Sequence, residues 1–130
     1  MAVELICLSG SIILGLVHIV LAGHARTLEL GAKWNMGPRD GESAPLKPLT
    51  GRLLRAQANF FETFPLFAVA VLIAAVTNNF SSYSYWGAIL YLSARVVYFP
   101  LYALGIPVIR SIVWLVSIAG LLMVLLPVMF

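Results

Sequence analysis

The chain has 130 residues, 62% hydrophobic and only 10% charged, with a formal net charge of +3. A soluble domain is roughly 45–50% apolar and 25% charged, so a water-soluble enzyme is excluded and one integral-membrane domain over residues 1–130 is expected. The single cysteine, Cys7, excludes an internal disulfide framework and any multi-cysteine metal site.

The first apolar segment covers about residues 3–25. It reaches the roughly 20 residues that a spanning helix needs. It lacks a basic leader and a small-residue cleavage site, so it reads as a helix rather than a cleaved signal. Residues 26–51 follow as a long polar loop rich in Gly, Pro and charge, with Gly37–Pro38–Arg39–Asp40–Gly41 most simply a turn and alternatively a lid over the mouth. The second apolar segment covers residues 53–76, and residues 77–82 make a short uncharged turn around Asn78–Asn79. The third covers residues 83–104. Residues 105–107 are a tight break, with Pro107 suited to a first helical turn, and the fourth segment covers residues 108–129. The expected fold class is all-α integral membrane, a bundle of four transmembrane helices.

Arg26, Lys33, Arg39, Lys47, Arg52 and Arg55 flank or occupy the first loop, and Arg110 opens the fourth segment on the same side. Arg95 lies in the half of the third segment nearest that side. The positive-inside rule then makes the first and third loops cytoplasmic, with both termini on the opposite face.

Charges inside apolar spans carry the functional information, because each costs at least about 2.5–3.5 kcal/mol on insertion scales. In the second segment, Arg52, Arg55, Asn59 and Glu62 fall within about an 80° arc of one helix face. That is a pocket wall rather than a lipid-facing surface. Pro65 bends the same helix and frees a backbone carbonyl near Glu62. In the third segment, Tyr91, Arg95, Tyr98 and Tyr102 fall within about 60° of one another. Arg95 and Glu62 lie at matched depth, and a pair between them is expected, either in a ligand site or as glue between helices. Arg55, Tyr98, Tyr102 and Arg110 crowd the cytoplasmic half. The site is cationic with phenols, which suits a polyanionic ligand or a developing thiolate. Arg110 also has a plainer reading, a side chain snorkelling from a helix end. Tyr83, Tyr85 and Trp86 read as an interfacial belt. His18 and His24 have no ligand spacing, so no metal site is expected. Glu4 and Cys7 lie near the far end of the first helix and read as incidental.

The run Arg55–Ala56–Gln57–Ala58–Asn59–Phe60–Phe61–Glu62–Thr63–Phe64–Pro65 resembles the signature of the membrane-associated proteins in eicosanoid and glutathione metabolism, the MAPEG family. Ala94–Arg95, Tyr98 and Tyr102 are similar to that family's third helix, and Pro107–Val108–Ile109–Arg110–Ser111 to the start of its fourth. The loop with Gly-Pro-Arg-Asp looks more like the bacterial branch, which implies a bacterial inner membrane. The resemblance implies a homotrimer of four-helix subunits that binds glutathione between neighbours, near the cytoplasmic side. Carried over by motif, Arg26, Arg55, Gln57, Asn59, Glu62, Arg95, Tyr98 and Tyr102 would bind glutathione, and Arg110 would hold its sulfur as a thiolate. The implied function is a membrane-bound glutathione transferase or peroxidase, with glutathione as cosubstrate and a lipophilic electrophile or hydroperoxide arriving from the bilayer. A non-catalytic lipid-binding or scaffold protein on the same fold is the alternative. A small proton-coupled drug exporter fits less well, because its acid would sit within the first helix, where this chain has only Glu4 at the extreme end.

Overall fold

Apolar runs without interior glycine pairs, bounded by Gly, Pro, Asn and Ser, fold as the expected helices. The computed structural model describes residues 1–40 and 45–130. In chain order these form α1 (Val3–Leu30), α2 (Ala32–Met36), α3 (Pro48–Val76), α4 (Ser82–Ala103) and α5 (Pro107–Met129), with no strand among the described residues. α1, α3 and α5 are each long and apolar enough to cross a membrane. α4, at 22 residues, would be about 33 Å long. It is less apolar because it carries Arg95 and all five tyrosines of the chain.

The polar loop is shorter than its composition suggests. α1 runs on to Leu30, since no Gly or Pro interrupts residues 26–30, and stops at Gly31, whose φ of 91° ends the helix. α2 follows at once, and α3 begins at Pro48, where the ring suits the first turn. Arg39, in the expected turn, takes a φ of 60°; Gly41, the last residue of that turn, lies outside the described residues. Glu29, near the end of α1, clasps the start of α3. Its carboxylate accepts from the Lys47 amide at 3.0 Å and from the Thr50 hydroxyl. An acid at this position also meets the positive end of the helix dipole. At the same end, Arg52 Nε donates to the Ala103 carbonyl at 2.8 Å, tying α3 to the last turn of α4.

The opposite end is held by Glu4, which in sequence reads as incidental. It is only 4% exposed and accepts from Ser84 Oγ at 3.0 Å. Ser84 is also half of the capping box that starts α4 with Ser81. An acid buried with a hydroxyl donor joins the first turns of α1 and α4.

Between these ends the core gathers Leu8, Phe67, Val71, Tyr91, Leu121 and Val124. Tyr91 stacks on Phe67, with centroids 4.0 Å apart, and its hydroxyl lies 3.0 Å from Thr63 Oγ1. α4 and α5 cross with their backbones nearly touching. A Cβ on Gly87 would lie 2.6 Å from the Gly120 carbonyl oxygen, and one on Gly120 would lie 2.6 Å from that of Gly87. No other residue type fits this crossing. The outward faces carry Ile13, Val20, Leu66 and Leu115, all at least 60% exposed. Hydrocarbon, not water, is the solvent such a surface suits.

Candidate functional site

The tight α4–α5 crossing fixes how the two helices diverge toward the turn at residues 104–106. An open cleft of about 280 Å³ lies there, lined by Asn59, Tyr98, Tyr102, Arg110, Ser111 and Trp114. Helical spacing explains the lining. Tyr98 and Tyr102 are four apart on α4, and Arg110 and Trp114 are four apart on α5, so each pair shares a face. Asn59 contributes from α3. None of the six lining residues is acidic.

Arg110 sits in the first turns of α5. Its guanidinium lies over the Tyr102 ring, with Cζ 4.6 Å from the centroid. That packing holds it against the cleft wall instead of letting it snorkel freely. The two tyrosine rings lie 5.7 Å apart at 56°. The indole Nε1 of Trp114 is buried with no hydrogen-bond partner among the described residues.

Arg95 backs the cleft. It is fully buried, with its guanidinium 4.4 Å from the Tyr98 centroid and 5.5 Å from that of Phe60. Its Nη1 donates to Asn59 Oδ1 at 2.9 Å. This replaces the expected pair with Glu62, which does not form. Rotation about α3 is the reason. The buried face is centred on Ala56, Phe60, Thr63 and Phe67. At 100° per residue, Asn59 lies about 70° from that centre, whereas Glu62 lies about 130° from it and Arg55 about 110°. Arg55 and Glu62 are accordingly exposed on the outer surface of the subunit. Depth alone matched Arg95 to Glu62, but the helix turns the acid away.

The structure thus gathers Asn59, Tyr98, Tyr102 and Arg110 in one cleft, with Arg95 behind them. Gln57 is half-buried and does not line the cleft. Arg26 lies elsewhere, with Cζ 5.6 Å from the Trp34 ring centroid; Arg39 meets the same ring at 5.3 Å. Tyr91 points into the core with Thr63 and leaves the polar stripe of α4. The sequence reading names no role for Trp114, and weighs His18 only as a metal ligand. Trp114 was findable as the residue one turn beyond Arg110. His18, only 1% exposed, packs behind the cleft between Phe60 and Phe99. Among the described residues, no group of His, Cys, Asp or Glu is placed to hold a metal ion.

Long apolar helices and an acid-free cationic cleft at one end define an integral membrane protein with a polar cleft. The chain belongs to the MAPEG family, whose sequence profile matches residues 7–129, nearly the whole chain. The family includes membrane glutathione transferases and also non-catalytic members. No curated protein matches the chain.

Proposed function

We propose that the chain is a glutathione transferase or peroxidase of the membrane, and that its α4–α5 cleft binds glutathione and keeps its sulfur ionised. The observation that carries this reading is the Arg110 guanidinium, seated on Tyr102 in a cleft with no acidic lining residue. A free thiol has a pKa of about 8.5, and a nearby cation lowers it by favouring the thiolate. Arginine stays charged throughout, so Arg110 is a permanent counter-charge. The thiol proton leaves to water at the cytoplasmic mouth. The thiolate then forms the S–C bond to a lipophilic electrophile, whose leaving group departs with the electron pair. Asn59, Ser111 and Tyr98 supply polar contacts for the peptide part of the ligand, beside the Trp114 side chain on the same wall.

The outward position of Arg55 and Glu62 completes the reading. Four spans in each of three subunits, with the outer face of α3 turned toward a neighbour, would bring both residues to the edge of the adjacent cleft. Arg55, Glu62, Gln57 and Arg26 would then reach glutathione across the subunit boundary. The first and third connections would face the cytoplasm, which supplies the thiol.

Titration of the detergent-purified protein with glutathione, followed by thiolate absorbance in the ultraviolet, tests binding and activation together. The expected result is saturable binding with thiolate absorbance below the pH at which free glutathione ionises. Saturable binding with no thiolate signal would leave the non-catalytic reading. Absence of binding would overturn both the transferase and the glutathione site. The alternative, a lipid-binding member, is favoured by one observation: an apolar groove of about 460 Å³ at the other end of the bundle, between Tyr83, Leu122, Leu126 and Phe130.

A further inference from the structure

His18 is the buried polar group that the cleft leaves unused. It sits mid-way along α1 and is 1% exposed. Its ring stacks on Phe99 of α4, 3.8 Å between centroids and 10° between planes, and on Phe60 of α3 at 5.0 Å and 24°. A phenylalanine would fill this slot without bringing two polar atoms into it. A neutral imidazole has one donor and one acceptor nitrogen, and burying either unpaired is costly. Neither ring nitrogen has a partner among the described residues.

Arg95 presents the complementary problem. Nη1 is used on Asn59, but Nε and Nη2 are buried without a partner among the described residues. A guanidinium has donors only, so what it lacks is an acceptor. Two separate observations make the two side chains neighbours. Phe60 lies against both, 5.0 Å from the imidazole centroid and 5.5 Å from Arg95 Cζ. Phe99, on which His18 lies, is one turn beyond Arg95 on α4, the spacing at which helical side chains meet.

We propose that His18 is a positioning residue for the cleft. Its acceptor nitrogen takes a hydrogen bond relayed from the unused edge of Arg95 across one internal water. Buried waters typically satisfy polar groups of this kind. Held at both ends, the guanidinium cannot swing, and its Nη1 keeps the Asn59 amide at the cleft wall. The effect on ligand binding rests on the glutathione reading above; the His18–Arg95 contact itself does not.

Two variants separate the nitrogen from the ring. His18→Phe keeps the stack and removes the acceptor, whereas His18→Gln keeps an acceptor and removes the stack. In glutathione titrations, His18→Phe is expected to weaken affinity about tenfold, with His18→Gln within about threefold of the wild type, as for loss of one hydrogen bond to a charged group. The reverse order, equal losses, or no loss in either variant would make His18 a packing residue and overturn the proposal. A second measurement needs no thiol: thermal unfolding of His18→Phe, Arg95→Met and the double variant, with Arg95→Lys as the background should Arg95→Met fail to assemble. A real contact makes the His18→Phe shift shrink by half or more in the Arg95 background; additive shifts overturn it. A wild type that binds no glutathione removes the cleft reading, while the unfolding cycle still decides the contact.

Discussion

Arg110 and Asn59 line the same cleft, but their chemistry separates them. Asn59 is neutral and held by Arg95, so on the proposed function it would contact thiol and thiolate ligand alike. Arg110 is charged and seated on Tyr102, so on the proposed function it would act chiefly on the ionised sulfur. Asn59→Ala is therefore expected to weaken glutathione binding and leave the pKa of whatever thiol is bound unchanged. Arg110→Ala is expected to do the opposite, with binding surviving while the bound thiol's pKa rises. Turnover with a standard electrophile should fall by about tenfold or more, since the lost interaction is felt mainly by charge present at attack. The sign of the pH dependence follows. Removing a cation raises the thiol pKa, so the loss is largest from about pH 6 to 8 and shrinks as pH passes the free thiol's value of about 8.5. Parallel wild-type and variant turnover across that range would make Arg110 an interfacial side chain. Much of this site was legible because helical periodicity alone aligns Tyr98 with Tyr102 on α4. The partner of Arg95 was not legible. Position along a helix gives depth, but the choice between Asn59 and Glu62 depends on which face of α3 its apolar residues bury.

The helices themselves were readable from apolar length and punctuation, and the structure moves their ends where neighbours decide. Glu29 is a clear case. In sequence it is one charge in a polar loop, but in the fold it closes the start of α3. Glu4 likewise reads as a terminal charge until Ser84, 80 positions away, turns out to be its donor. α2, with five residues, is too short to show a period. The α4–α5 crossing is the element-scale feature with the sharpest consequence. With a Cβ on Gly87 brought to 2.6 Å of the Gly120 carbonyl, the helices must separate. Gly87→Ala or Gly120→Ala is expected to destabilise the fold by about 1–3 kcal/mol, as overpacking does elsewhere, despite the better helix propensity of alanine. Thermal unfolding in detergent measures this. Gly23→Ala is the control, since nothing lies within 4 Å of its Cβ position. Equal midpoints for Gly87→Ala and Gly23→Ala would show that the crossing relaxes freely.

At the scale of the whole molecule, the two bonded ends of the bundle define its polarity. The Glu29 clasp and the Arg52–Ala103 bond bring the end of α1, the start of α3 and the end of α4 together. Every lysine and arginine lies at that end or in the adjoining half. We propose from the positive-inside rule that this end faces the cytoplasm. A reporter fused at Phe130 is then expected outside the cytoplasm, and a cytoplasmic signal would reverse the entry route for the thiol. Assembly follows from what a lone subunit exposes. Arg55 and Glu62 sit on the outer face of α3, a helix apolar enough to cross a membrane. Lipid contact at that depth costs each ionisable group at least about 2.5–3.5 kcal/mol, and such groups otherwise face a bundle interior or a polar cavity. Neither finds that inside its own subunit, because the face that α3 buries is the one carrying Ala56, Phe60, Thr63 and Phe67. On the trimer reading proposed above, a neighbour would supply the cover, and closed rotational symmetry would let every copy cover the next. The detergent-solubilised protein is expected to have the mass of three copies of the 14.1 kDa chain. Glu62→Gln and Arg55→Ala should each loosen it, by leaving the opposite charge unpaired at the boundary. A stable monomer by mass, with Glu62→Gln unfolding at the wild-type temperature, would show that these charges meet water or headgroups instead, and the cleft of a single subunit would have to bind its ligand alone.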